Sequence, residues 1–270
     1  MTESIIRLAG TGELDIEKTF ECGQCFRWNA DEKGVYRGVA MGAAARVWKD
    51  GESVYIASDG GDWQKYFDLV TDYGAISRGF LGISTYMDAC VSFGAGIRIL
   101  RQDRWEALCS FIISQCNNIP RIKGIVERLC ERFGECRSFE GQEYYTFPTA
   151  ERLAALSPEE LAPLRCGYRA DYIIAAARAV AEGELDLDAL AQTDCTASLK
   201  ALKNLYGVGT KVADCANLFG LGHTEAFPVD VWMKRALKEN FPPDFDPGVF
   251  GKYAGLAQQY IFYYARSMGR

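Results

Sequence analysis

The stretch LKNLYGVGTKVADC, residues 202–215, decides how this chain is read. Helically spaced apolar residues flank a Gly-Val-Gly turn, which makes the segment a helix, a tight turn and a second helix. Gly207 and Gly209 permit positive φ and leave no Cβ against a close neighbour. The second helix then turns its unpaired N–H groups and positive dipole end outward, as phosphate binding requires. An ordinary helical hairpin would carry the same glycines, so Lys211 separates the two readings. A lysine in the first turn of a helix opposes the dipole at about 0.3–1 kcal/mol. The same field, with partial burial, favours the neutral amine that a nucleophile needs. The unfavourable placement then makes sense as tuning; a solvated surface lysine is the plain alternative.

Asp230 follows in PVDVW, at the start of the next expected helix. It suits an N-cap, accepting from the N–H of Trp232 or Met233. Backbone donors keep such a carboxylate ionised. An ionised carboxylate beside a nucleophilic lysine can stabilise positive charge on a substrate sugar or move protons on and off the amine. Two groups at the starts of consecutive helices can converge on one cleft.

Working outward, the chain divides by periodicity. Residues 1–95 hold short apolar runs broken by DEKG and KDGE, turn signals between antiparallel strands. WQKYFDLVTDYGAISRGFL then reads as helical. From about residue 96 the spacing is helical throughout. RWEALCSFIISQCNN stops at its Asn pair, Pro120 begins RIKGIVERLCERFG with Gly134 as its C-cap, Ser157-Pro158-Glu159-Glu160 has capping-box form, and ADYIIAAARAVAEG ends at Gly183. The expected fold is α+β: a small antiparallel β-rich domain over 1–95 and a larger all-helical domain over 96–270.

Composition narrows the chemistry. The 270 residues are 49% apolar and 24% charged, as in a globular protein, and no apolar run reaches membrane-span length. The amino-terminus shows no export signal. Ten cysteines in so long a chain predict reduced thiols and an intracellular location, the cytoplasm or nucleoid in a bacterium. His223 is the sole histidine, which argues against a Ser-His-Asp triad and a histidine metal site. Cys22-Gly-Gln-Cys25 lacks a second CxxC, so neither metal nor cofactor is expected. The net charge of −6 opposes a nucleic-acid partner unless backbone N–H groups and a local cluster of Arg and Lys make the contact.

With VGTKVADC and PVDV on the page, the chain resembles the 8-oxoguanine DNA glycosylase/AP lyases of the helix-hairpin-helix GPD superfamily. GQCFRW (Gly23–Trp28), IRILRQDRWEALCSFIISQCNNIPRI (Ile97–Ile122), CGYRADY (Cys166–Tyr172) and AGLAQQYIF (Ala254–Phe262) match the family in order along nearly the whole chain. The resemblance implies an enzyme of base excision repair: an oxidised guanine is flipped from duplex DNA, Lys211 attacks the sugar C1′, the base leaves, and β-elimination from the Schiff base nicks the strand. Asp230 is then the essential carboxylate. Cys215, one turn from Lys211, flanks the base and forms with it a dipole favouring the oxidised form. The Gly23 carbonyl accepts the N7–H that only the oxidised base carries. Gln258 reads the pairing edge and Phe262 is a stacking wall. Asn117, Arg121, Tyr168 and Arg169 fill the vacated stack and read the orphaned cytosine, with Tyr168 as wedge. Gly207, Gly209 and Trp232 lie on the DNA-phosphate side. The partner is double-stranded DNA containing 8-oxoguanine, and the protein is expected to be a monomer away from membranes.

Three positions depart from the family pattern. Cys116 replaces the first of three asparagines, and a weak thiol donor cannot copy an amide. Pro120 replaces a small residue beside Arg121, and Trp232 stands where a histidine often follows PVDV. Rival readings fail on particular residues. Superfamily members with an iron–sulfur cluster need cysteines beyond Cys215, and alkylated-base glycosylases lack the lysine. A non-catalytic DNA-binding module or an acidic interaction scaffold leaves the placement of Lys211 unexplained.

Overall fold

The computed structural model describes residues 4–269; residues 1–3 and 270, which the export-signal reading and the outer domain bounds include, lie outside them. Both turn signals become hairpins. Strands β1 (Ser4–Gly10), β2 (Trp28–Ala30), β3 (Tyr36–Ala40), β4 (Ala43–Asp50) and β5 (Ser53–Ser58) form one antiparallel sheet in the order β1-β5-β4-β3-β2. Asp31 closes the DEKG turn by accepting from the N–H of Lys33 and Val35. The KDGE turn joins β4 to β5, with Asp50 opposite Ser53. Tyr36, Val47 and Ile56 lie in one cross-strand row and are all buried, which is the period-two signature of a sheet with one covered face.

In chain order the helices are α1 (Ile16–Glu21), α2 (Trp63–Tyr66), α3 (Tyr73–Arg78), α4 (Thr85–Gly94), α5 (Arg104–Ile113), α6 (Ile119–Phe133), α7 (Ala150–Ala154), α8 (Arg169–Ala181), α9 (Leu187–Leu190), α10 (Cys195–Lys203), α11 (Thr210–Ala216), α12 (Val231–Asn240) and α13 (Ala254–Met268). The stretch read as one helix after the sheet is two, α2 and α3, because Asp68 takes a φ of +50° between them. Helix α6 starts at Ile119 with Pro120 in its first turn and ends at Gly134, as expected. The Ser157 capping box forms, but over a 3-10 turn, Pro158–Leu164, rather than an α-helix. A second small hairpin, β6 (Cys136–Phe139) with β7 (Gln142–Tyr145), sits inside the helical half and was not expected.

Two apolar cores result. One lies under the sheet around Phe20, Trp28, Trp63, Tyr66 and Phe67, with Trp28 Nε1 donating to Tyr66 Oη at 2.8 Å. The other fills the helical half, with α5 at its centre: Leu108, Cys109, Phe111, Ile112 and Ile113 are all buried. Core membership crosses residue 95 in both directions. Tyr73, Phe80, Met87 and Cys90 belong to the helical core, while Leu100 belongs to the sheet's. Among the described residues no helix is long and apolar enough to cross a membrane. All ten cysteines are free thiols.

Candidate active site

Helix α11 begins where the Gly-Val-Gly turn ends. Gly207 has φ +80°, and Gly209 caps the helix in an extended conformation without a side-chain bond. The first intrahelical bond runs from Ala213 N to Gly209 O, so the donors of the preceding turn stay unpaired within the helix. Lys211 sits in that turn, half-buried rather than solvated. Its Nζ lies 3.1 Å from Ser114 Oγ and 5.3 Å over the Phe111 ring. Ser114 donates its own hydroxyl to Phe111 O at 2.7 Å, which leaves an oxygen lone pair for the amine. Phe219 stacks on Phe111 at 5.2 Å and Phe26 meets it edge-on at 5.6 Å, so an aromatic floor underlies the lysine.

Asp230 caps α12 by accepting from Met233 N at 2.9 Å, one of the two donors named from sequence. It too is half-buried. Cys215 locates both charges. Burial pushes its thiol up to about 11, Lys211 draws it down, and the Asp214 and Asp230 carboxylates push it up. The Lys211 amine and the Asp230 carboxylate therefore both lie within electrostatic reach of one buried sulfur. At neutral pH Cys215 presents a thiol, not a thiolate.

The opposite side of the site comes from the loop after α1. Gly23 has φ +81°, and a Cβ built on it would stand 3.2 Å from Phe262 Cε1 and 3.5 Å from Ile119 Cδ1. The loop is pinned by Gln24, which is fully buried. Its Nε2 donates to Thr19 O and Arg98 O, and its Oε1 accepts from Leu100 N. Gln102 Nε2 donates in turn to Gln24 O at 2.7 Å. Phe26, on the same loop, reaches the floor beneath Lys211, so Gly23 and the lysine belong to one region.

Gln258 and Phe262 occupy successive turns of α13. Gln258 is buried and accepts from Gln259 Nε2 at 2.8 Å; Phe262 is half-buried with the Arg266 guanidinium 5.4 Å over its ring. Trp232 packs against the end of α13 at Gly269.

The expected wedge residues fall on two adjoining loops. Tyr168 is 48% exposed. Asn117 donates to Ile113 O at 3.2 Å, and Asn118 is the cap of α6. Arg121 is exposed, with Nη2 on Arg165 O at 3.2 Å. Arg169 is placed otherwise than its expected reading role implies. It is 3% exposed, and its guanidinium donates to the carbonyls of Gln115, Cys116 and Cys166. It fastens the 115–116 turn to the start of α8, and reaching a base would break those bonds. Cys116 is exposed with φ +47°, and it lies near enough to the Tyr168 phenol to add to the rise in pKa that partial burial causes there.

Sequence reasoning missed Ser114 and Gln24. Ser114 follows the last residue of an apolar helix, where a serine ordinarily caps. Gln24 lies inside a matched motif, yet it bonds Arg98, Leu100 and Gln102, each over seventy positions away. His223 is buried and Nε2 lies 3.2 Å from Leu190 O, a partner that can only accept, so the ring carries its proton there.

Residues 7–108 match the family described as 8-oxoguanine DNA glycosylase, N-terminal domain, and residues 109–246 match the HhH-GPD superfamily base excision DNA repair protein family. An N-glycosylase/DNA lyase of Saccharomyces cerevisiae is 39% identical over 158 residues, 54% of this chain and 42% of that protein. The match thus spans less than half the yeast protein's length. Among solved structures, MBOgg1 in complex with a low-affinity DNA ligand superposes with a TM-score of 0.91 at 39% identity, covering 100% of both chains. The Clostridium acetobutylicum 8-oxoguanine glycosylase/lyase, in complex with double-stranded DNA containing cytosine opposite 8-oxoG, gives 0.90 at 36% identity and 99% of both chains.

Proposed function

We propose that this chain, which belongs to the HhH-GPD superfamily of base excision DNA repair proteins, excises 8-oxoguanine from duplex DNA and nicks the abasic site it leaves. The observation that carries this reading is the placement of the Lys211 amine. It is half-buried, held by Ser114 over an aromatic floor, and shares the Cys215 sulfur's surroundings with the Asp230 carboxylate. That is the donor set for attack on a sugar carbon: an amine as nucleophile and a fixed anion to stabilise positive charge on the ribose.

In the proposed sequence the damaged nucleotide is extruded. Gly23 and Phe262 flank the base, the Gly23 carbonyl accepting its N7–H, and Gln258 reads the pairing edge. The Lys211 amine bonds to C1′ as the glycosidic bond breaks, and the proton that its nitrogen sheds leaves with the departing nucleobase. Opening of the sugar ring at C1′–O4′, with a proton going to O4′, turns that adduct into a Schiff base that acidifies C2′; loss of a C2′ proton then expels the 3′ phosphate by β-elimination. Backbone N–H groups after Gly209, at the open start of α11, with exposed Arg121 and Arg165, hold phosphate despite the acidic net charge. Trp232 supports that side by packing. The protein is proposed to act as a monomer. The free thiols suit a reducing, intracellular compartment. Incubating the protein with an 8-oxoguanine duplex tests the activity: base release and a strand nick are expected, and an intact strand after alkali treatment would refute it.

Gly23 gives a sharper expectation. An L-residue at positive φ costs about 1–2 kcal/mol, and the added methyl would press on Phe262 in the pocket. Gly23→Ala should lower excision by about tenfold or more while the protein remains folded. Wild-type excision by that variant would remove Gly23 from the base pocket.

Preference for the opposite base is the other departure to measure. A bidentate base contact contributes ~1–3 kcal/mol of discrimination. Cys116, exposed at the position in question, lacks the amide to make one. Single-turnover excision opposite all four bases should therefore give similar rates; a strong cytosine bias would contradict the assignment.

A further inference from the structure

We infer that Tyr206 is a further DNA-contacting residue, and that Tyr172 is a positioning residue coupling it to the Tyr168 wedge, so that the hairpin turn and the wedge engage the duplex as one unit. The inference rests on the activity proposed above and adds to it two residues that lie within the quoted motifs but were given no role there.

Three tyrosine rings form a ladder across two separate segments. Tyr168 and Tyr172 meet edge-on with centroids 5.5 Å apart, and Tyr172 and Tyr206 meet at 5.0 Å with planes at 88°. The ends are open: Tyr168 is 48% exposed and Tyr206 66%, whereas Tyr172 between them is half-buried. Edge-to-face packing is the favoured geometry for aromatic pairs, so each ring's direction is set by its neighbour.

The middle ring is tied to the hairpin itself. Tyr172 packs across Gly207, so that a Cβ at that glycine would clash with the Tyr172 ring. Gly207 also needs its positive φ of +80° for the turn. The turn thus cannot shift without displacing Tyr172, which lies one helical turn from the wedge on α8. At the far end, Arg169 stacks 4.5 Å over the Tyr168 ring and holds the Cys116 carbonyl.

Tyr206 directly precedes the turn whose unpaired N–H groups face phosphate in the proposed complex. A pre-oriented tyrosine there offers a flat apolar face to a deoxyribose and a hydroxyl to a phosphate oxygen. Contacts of this kind position the duplex without reading sequence. Because Tyr172 links this contact to the wedge, seating the backbone on the hairpin and inserting Tyr168 become parts of one step.

The test is a double-mutant cycle. Binding of a duplex with a stable abasic analogue is measured by anisotropy, and excision by single-turnover kinetics. Tyr206→Ala should weaken binding and lower kcat/KM by about tenfold, mostly through KM. Tyr168→Ala and Tyr206→Ala together should lose about threefold or more less than the product of the single losses. With Tyr172→Leu the two effects should multiply, and Tyr172→Phe, which keeps the ring, should restore the coupling. Wild-type affinity in Tyr206→Ala, or simple multiplication with Tyr172 intact, would overturn the inference. An inactive wild-type protein would instead sink the activity itself, so the two failures are distinguishable.

Discussion

Lys211→Gln is expected to abolish the borohydride-trapped complex with 8-oxoguanine duplex and to lower excision by about a thousandfold or more. The magnitude follows from the chemistry assigned to the amine. An amide nitrogen has no lone pair to give, so neither the bond to C1′ nor the Schiff base can form. Glutamine nonetheless keeps a polar head near Ser114, whose oxygen accepts from Nζ at 3.1 Å. The site is half-buried, and the change should cost no more than about 1 kcal/mol of stability. Binding of the lesion duplex should therefore survive. Trapping that persists in the variant would remove the assigned nucleophile.

Asp230→Asn should slow turnover by about a hundredfold or more while leaving lesion binding nearly intact. The substitution separates two roles that one side chain holds. Asparagine caps helices as well as aspartate does, so the bond from Met233 N that starts α12 can be kept. What disappears is the negative charge, which acts on Cys215 and so stands within electrostatic reach of the Lys211 region. If the charge stabilises a positively charged ribose or relays the lysine's proton, the chemical step suffers and the ground state does not. Lost affinity with an unchanged single-turnover rate would return Asp230 to capping alone.

Much of the fold could be read from local pattern. The hairpins at DEKG and KDGE, the glycine turn, the cap at Asp230 and the start of α6 follow from short-range rules, and each forms. The β6–β7 hairpin escaped because its four-residue strands are mostly exposed, so they lack the alternation that marks a half-buried strand. The placement of α3 and α4 in the helical core escaped for another reason. Core membership is set by packing against α13, as where Gly94 lies against Tyr260, and no local spacing encodes that.

The candidate site divides the same way. Lys211 and Asp230 were legible because each sits at a helix start where its residue type has a definite electrostatic consequence. Gly23, Cys215, Gln258, Phe262 and the wedge residues were named through family resemblance, and their spacing alone favoured plain structural roles. For Arg169 the identity matched, but its burial and its bonds to the Gln115 and Cys116 carbonyls are long-range facts that no local pattern carries. Ser114 and Gln24 show the converse, since their importance lies in partners 97 and 76 residues away.

The central claim is a covalent bond between one nitrogen and one sugar carbon. Reducing the reaction of the wild-type protein with 8-oxoguanine duplex by borohydride, digesting the adduct and sequencing its peptides by mass spectrometry tests it most directly. The deoxyribose remnant should map to Lys211 in the peptide spanning the glycine turn. A remnant on the amino-terminal amine or on any other lysine, with Lys211 unmodified, would contradict the account.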